Sequence, residues 1–191
     1  LGSSNVHLDD KILFALGTPE KHASKNSLLA QLDNSKFGKI LEIKKDNLLN
    51  AINSEDELKI DVFSKGHRVP QGLTILENKI FNVEHGPKGG DELNIIQKGK
   101  NYGWPAITYG IDYSGAIISD KTSAEGMEQP VVYWVPSIAP CGMTFYTGEK
   151  FPKWKDNLFI GTLRGSHIRR LVFKGNRVTE QEVLLKHYGR I

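Results

Sequence analysis

Cysteine is almost missing from this chain: its 191 residues include one, Cys141. No internal disulfide can form, so the fold must be held by its core. Charge of one sign is missing too. The 25 Lys+Arg are set against 22 Asp+Glu, a net charge of +3, with both signs spread along the chain. That excludes a basic nucleic-acid arm and an acidic tail. Long apolar runs are absent, far below the roughly 20 residues needed to span a bilayer. No phosphate loop, dinucleotide glycine pattern, zinc spacing or Gly-x-Ser-x-Gly elbow occurs. Neither a nucleic-acid partner nor a membrane span is therefore expected. The first residues show no charged stretch followed by an apolar one, so no signal peptide is expected within the chain. Both ends read as cuts in a longer protein.

What is present is an ordinary globular balance, 39% hydrophobic and 25% charged. A chain of this length makes one domain, or at most two small ones. Its dominant pattern is short and strand-like. Lys11–Leu16, Gly38–Lys44, Lys79–Glu84, Val131–Trp134, Gly142–Tyr146, Asn157–Thr162, His167–Phe173 and Val178–Leu185 each read as strands. Glu77-Asn78 and Lys174-Gly175-Asn176 read as turns between strands. Lys25–Leu32 and Leu48–Asn53 fit either short helices or loops. The fold class is all-β, a sandwich, barrel or propeller of irregular blades. The stretch from Gly86 to Gln129 holds eight glycines and little strand character. A long segment of this kind inside a domain is usually functional.

Within it, Glu84-His-Gly-Pro-Lys-Gly-Gly-Asp-Glu-Leu-Asn94 is the densest constellation. Asp91 and Glu92 offer hard oxygen donors beside glycines that expose backbone carbonyls. Calcium takes six to eight such oxygens, so the loop reads as a calcium site or as a solvated acidic turn. Arg68, framed by glycine and proline, can clamp a carboxylate or lie on a surface turn. Arg164, at a strand end, offers the same choice. Arg169 and Arg170 are neighbours in a strand, so at least one is expected to face solvent. His67 and His85 are acid/base candidates without a partner at a diagnostic spacing. Cys141 reads as a small buried residue.

Seven segments occur in a telling order: Gly66-His-Arg-Val-Pro-Gln-Gly72, Glu84 to Asn94, Asn101-Tyr-Gly-Trp-Pro105, Tyr113-Ser-Gly115, Glu128-Gln-Pro130, Pro136-Ser-Ile-Ala-Pro140 and Asn157-Leu-Phe-Ile-Gly161. Together they resemble the soluble aldose sugar dehydrogenases, which depend on pyrroloquinoline quinone (PQQ). The resemblance implies a six-bladed β-propeller, of which residues 1–191 would be about three blades. It implies PQQ and Ca²⁺ as cofactors, an aldose oxidised at C1 to a lactone, an external electron acceptor, and a periplasmic or secreted location. By the same resemblance, Arg68 grips a quinone carboxylate and Val69 stands where the family usually has Asn. Tyr113, Thr162, Leu163, Arg164, Arg190 and Ile191 fall on cofactor positions. Glu92 and Tyr102 match calcium ligands, as do the carbonyls of Gly86 and Pro87. Leu1-Gly2-Ser3 matches the residues just after the family's catalytic histidine, which would immediately precede Leu1; His85 is then a structural loop residue. Two other readings remain: a non-catalytic propeller that binds protein or carbohydrate, and a glycan hydrolase. Adjacent Asp91 and Glu92 suit metal better than the flanking geometry the latter needs.

Overall fold

The computed structural model describes residues 4–19, 25–54 and 57–191. The Leu1-Gly2-Ser3 match lies outside these residues. Twelve strands form three four-stranded antiparallel sheets. The first sheet holds β1 (Asn5–His7), β2 (Lys11–Leu16), β3 (Lys39–Lys44) and β4 (Asp61–Lys65). The second holds β5 (Val69–Leu76), β6 (Lys79–His85), β7 (Asp91–Ile96) and β8 (Val132–Trp134). The third holds β9 (Pro140–Phe145), β10 (Leu158–Thr162), β11 (His167–Lys174) and β12 (Arg177–Leu184). Each strand pairs with the next in sequence, so every sheet is a meander. β5 packs on β1 and β2 at one side and on β9 at the other. The first strands of the sheets thus face one another, as inner strands of propeller blades do.

The all-β expectation holds. One α-helix, α1 (Lys45–Ser54), covers the segment expected at 48–53 and buries none of its residues. Asp46 in its first turn complements the helix dipole. Lys25–Ala30 forms a 3-10 helix rather than an α-helix. Three carbonyls, of Leu29, Ala30 and Phe37, accept bonds from the buried Lys39 ammonium and fold this segment onto the first sheet.

One element runs against the sequence reading. Asp91–Ile96 is a strand, not part of a loop. Its polar residues Asp91 and Asn94 are fully buried, so the apolar alternation that marks a strand is lost. Two other expectations also change. Arg169 and Arg170 are both half-buried, and Arg170 reaches Asn157, Glu180 and Glu182. Cys141 is half-exposed, and its thiol donates to the Ile191 carbonyl at 2.8 Å.

Two cores flank the middle sheet. Leu13, Ile40, Phe63, Leu73, Ile80 and Ile96 fill the space beside the first sheet. Phe81, Val83, Leu93, Phe145, Leu158 and Leu171 fill the space beside the third. A sheet covered on both faces has no solvent side, which is why β6 is buried from Ile80 to Glu84 without alternation. β12 is the opposite case, an outer strand exposed along most of its length.

The chain leaves β4 through Gly66, at φ +80°. Its N–H donates to the Ala30 carbonyl at 3.1 Å, and its carbonyl accepts from the Trp104 N–H at 2.9 Å. A Cβ here would run into the Asn101 side chain and the Gly103 backbone. Gly66→Ala in the full-length protein should therefore cost about 2–4 kcal/mol, combining left-handed strain with a clash the backbone cannot yield to. A fall in urea midpoint at unchanged m-value would register it; a midpoint equal to wild type would refute the close approach.

Candidate functional site

Arg68 directly precedes β5 and is buried. Its main chain is pinned at both ends. Its N–H donates to Glu84 Oε2 at 2.7 Å. Its carbonyl accepts from the Thr18 N–H at 2.8 Å and the Thr18 hydroxyl at 3.1 Å. The guanidinium donates from Nη1 to the carbonyls of Gly86 at 2.7 Å and His85 at 3.2 Å. It lies 5.3 Å from the centre of the Trp104 ring, within cation–π range, and is hydrogen-bonded to Tyr113. Burial pulls its pKa below the ordinary arginine value, against the pull of Tyr113, Glu84 and Asp91.

Opposite Arg68 stand two carboxylates. Glu84 of β6 and Glu92 of β7 are cross-strand partners, so their side chains share a face. The Asn94 amide donates to both, at 3.2 Å each. Burial first, and the nearby Glu84 second, push the Glu92 carboxyl up to about 8. Asp91 points to the other face of the strand and accepts four hydrogen bonds. Its Oδ1 accepts from the Gly86 N–H at 3.0 Å. Its Oδ2 accepts from the Ser137 hydroxyl and from the N–H groups of Ile138 and Ala139, at 2.8, 2.7 and 2.9 Å. Asp91 therefore shapes the Gly86–Gly90 turn, and it does not line the cavity. Glu84, which the sequence reading left without a role, is the acid that faces Glu92 and lines the cavity with it. The alternation of side chains along β7 was the signal that could have separated the two acids.

Arg68, Glu84, Gly86, Glu92, Tyr102 and Trp104 line one cavity of ≈ 10 Å³. That is room for about one water or one bare ion, so anything as large as a quinone has to lie over its mouth. The Trp104 indole N–H is buried and has no acceptor among the described residues. Among the described residues no three His, Cys, Asp or Glu side chains converge into a metal cage. The donors that do converge, carboxylates with backbone carbonyls, are the kind a hard cation takes.

The Glu92 carboxyl makes the site's stability depend on pH. Its folded value of about 8 lies above the ordinary 4.5, so the folded state holds a proton that the unfolded state has lost. Stability without a bound cation should fall as pH rises from about 4.5 to about 8, then level off. Allowing for solvent screening, the drop is on the order of a few kcal/mol. Urea midpoints in a chelating buffer would show it, with Glu92→Gln lacking this share of the slope. A parallel slope in the variant would assign it to other groups.

A profile of the glucose/sorbosone dehydrogenase family matches residues 2–191. The chain belongs to the glucose/sorbosone dehydrogenase family. Aldose sugar dehydrogenase YliI of Escherichia coli strain K12 is 43% identical over 145 residues, 74% of this chain and 39% of that protein. A crystal structure of a glucose dehydrogenase matches 94% of this chain and 52% of its own length, at 38% identity and TM-score 0.82. The PQQ-bound aldose sugar dehydrogenase of Streptomyces coelicolor matches 94% and 47%, at 28% identity and TM-score 0.68. The chain thus spans about half the length, or less, of these relatives.

In this glucose/sorbosone dehydrogenase chain, five of the residues singled out from sequence meet at the cavity: Arg68, His85, Gly86, Glu92 and Tyr102. Tyr113 stands at its edge, half-exposed, its ring 5.9 Å from the Arg68 guanidinium carbon. Pro87 is buried but lies off the lining, and Val69 pairs with His85 across the β5–β6 ladder. Thr162, Leu163 and Arg164 stand at the end of β10 in the third sheet, outside the cavity lining. The Thr162 hydroxyl bonds the main chain of His167, and the Leu163 and Arg164 N–H groups reach the carbonyls of Ala139 and Ile138. The Arg164 and Arg190 side chains are exposed, and the Ile191 carbonyl is engaged by Cys141. His85 ends β6 instead of sitting in a loop; its Nε2–H donates to the Pro140 carbonyl at 2.6 Å, and burial lowers its pKa.

Proposed function

We propose that the whole protein is a PQQ- and calcium-dependent dehydrogenase oxidising the C1 hydroxyl of an aldose to a lactone. This chain would be a partial propeller of about three of six blades, and would supply one part of the cofactor face. The observation that carries the reading is the buried Arg68 guanidinium beside a cation-sized cavity with two facing carboxylates. Both parts fit the groups proposed. Calcium would sit against Glu92, with carbonyl oxygen from Gly86 and Tyr102. It would relieve the burial and repulsion that raise the Glu92 pKa. Bound PQQ supplies the two-electron acceptor for the C1 hydride.

The chain's own residues bind and orient. The Arg68 fork presents fixed donors to a carboxylate, and its charge favours an electron-rich partner. Trp104 supports that fork from below and holds an unused indole donor nearby. Tyr113 covers the guanidinium from the solvent side. Val69 offers apolar contact where the family usually has an amide. Thr162, Leu163, Arg164, Arg190 and Ile191 would contribute from the edge of the third sheet. The base that takes the hydroxyl proton would be the histidine preceding Leu1. Electrons would pass to an external acceptor, outside the cytoplasm. No described helix is long and apolar enough to cross a membrane.

The full-length protein, stripped with chelator and then given PQQ and calcium, tests this. Tryptophan quenching should report saturable quinone binding, and a dye acceptor should bleach with glucose or another aldose only when both additions are present. Binding without turnover on any aldose would favour the non-catalytic propeller. No binding would sink the reading.

A further inference from the structure

A buried chain of three side chains runs back from the cavity: Glu84 lines it, and His67 and Ser64 lie behind with no part in the chemistry proposed for it. The Ser64 hydroxyl is 2.9 Å from His67 Nε2, and His67 Nδ1 is 3.2 Å from Glu84 Oε1. The order suggests nucleophile, base and acid, but the surroundings exclude that use. Ser64, His67 and Glu84 are 1%, 0% and 4% exposed, and neither Ser64 nor His67 lines the cavity. A substrate has no approach to the Ser64 hydroxyl.

The chain is better placed to hold Glu84 still. Among the bonds described, Glu84 Oε1 meets the His67 ring on one side and the Asn94 amide on the other, while Oε2 takes the Arg68 N–H. With Nδ1–H directed at Glu84, Nε2 is left to accept from the Ser64 hydroxyl. The ring itself is fixed: it stacks on Tyr102 at 4.9 Å and 23°. The His67 N–H donates to the Gly38 carbonyl at 3.1 Å. Tyr102 is locked in turn, donating to the Ile95 carbonyl and accepting from the Gln97 N–H.

Given the proposed cofactor site, we infer that His67 is a positioning residue: its Nδ1–H sets the Glu84 carboxylate, and through it the Arg68 main chain. It touches neither substrate nor cofactor. Its effect on the quinone runs through the hydrogen bond it makes, not through the volume it fills.

Two substitutions separate the bond from the volume, both in the full-length, calcium-loaded protein. His67→Asn puts an amide donor near the position of Nδ1 and keeps the bond to Glu84. His67→Gln puts its amide near the position of Nε2 and keeps Ser64 instead. The PQQ dissociation constant, read by tryptophan quenching, should rise about 10-fold in His67→Gln and less than about 3-fold in His67→Asn. The Arg68 amide proton, shifted downfield by its bond to a carboxylate, should move upfield in His67→Gln and stay in place in His67→Asn. This second measurement needs no quinone. If wild type binds no PQQ, the functional reading falls, and the amide shift still decides the inference. Equal effects of the two variants on the amide proton would overturn it. So would wild-type quinone affinity in His67→Gln.

Discussion

Replacing Arg68 with methionine in the full-length protein should weaken PQQ binding about 100-fold and leave the cofactor-free fold nearly as stable. Methionine keeps the apolar stem that packs near Trp104 and removes only the guanidinium. What is lost on binding is a buried, charge-assisted fork to a carboxylate, worth about 2–5 kcal/mol when one partner is removed. What is lost on folding is smaller. The guanidinium bonds carbonyls of Gly86 and His85, but burial already disfavours its charge. Desolvation and hydrogen bonding then offset each other to within about 1 kcal/mol. Arg68→Lys should fall between, since it keeps the charge and loses the fork. Tryptophan quenching gives the affinity and thermal melting the stability. A variant that binds PQQ as wild type does would remove Arg68 from the cofactor site. One that unfolds would make it a structural residue.

Asp91→Ala should have the largest effect on stability, about 3–6 kcal/mol. The carboxylate accepts from four groups, and three of them are main-chain N–H donors at Gly86, Ile138 and Ala139. Each buried donor left without an acceptor costs about 1–3 kcal/mol. Ala139 is partly rescued by the Ser137 hydroxyl, which keeps the sum below the maximum. A domain with about 5–15 kcal/mol in hand would lose much of it. Asp91→Asn should recover little, because its NH₂ would meet donors where an acceptor is needed. Urea unfolding checks both. A cost under about 1 kcal/mol for Asp91→Ala would mean that the two turns hold their shape without it.

The architecture was largely legible because strands with one open face alternate. β2 could be read from Leu13 and Ala15, and the Glu77-Asn78 turn from its residue types, both at positive φ. β3 was read from its apolar–polar alternation, yet it is buried from Lys39 to Glu42 on both faces. β7 was not legible, because its inward positions carry Asp91 and Asn94 in place of apolar side chains. The site was legible in part for a related reason. Arg68, Gly86, Glu92 and Tyr102 sit in short motifs whose residue types announce ligand chemistry. Glu84 and His67 sit in the same motifs, but nothing in the sequence pairs them. Their partners, Ser64, Asn94 and each other, are three to seventeen positions away in sequence and meet only across the β4–β5 link and the β6–β7 ladder. Thr162, Leu163 and Arg164 show the converse: they stand at the right end of a strand, but in a sheet whose nearest edge lies beyond the cavity lining.

The cavity gathers residues at the start of β5, the end of β6 and the start of β7. The Glu77-Asn78 turn therefore lies at the opposite end of β5 and β6; Gly175, in the β11–β12 turn of the third sheet, lines a second pocket together with Glu77, and both turns are exposed. Strands of seven or eight residues put about 20 Å between the two edges. A cysteine introduced at Asn78 or Asn176 would be a handle for fixing the protein to an electrode, with its cavity edge turned outward to the solution. Anchoring at Arg164 or Arg190 would press that edge against the support.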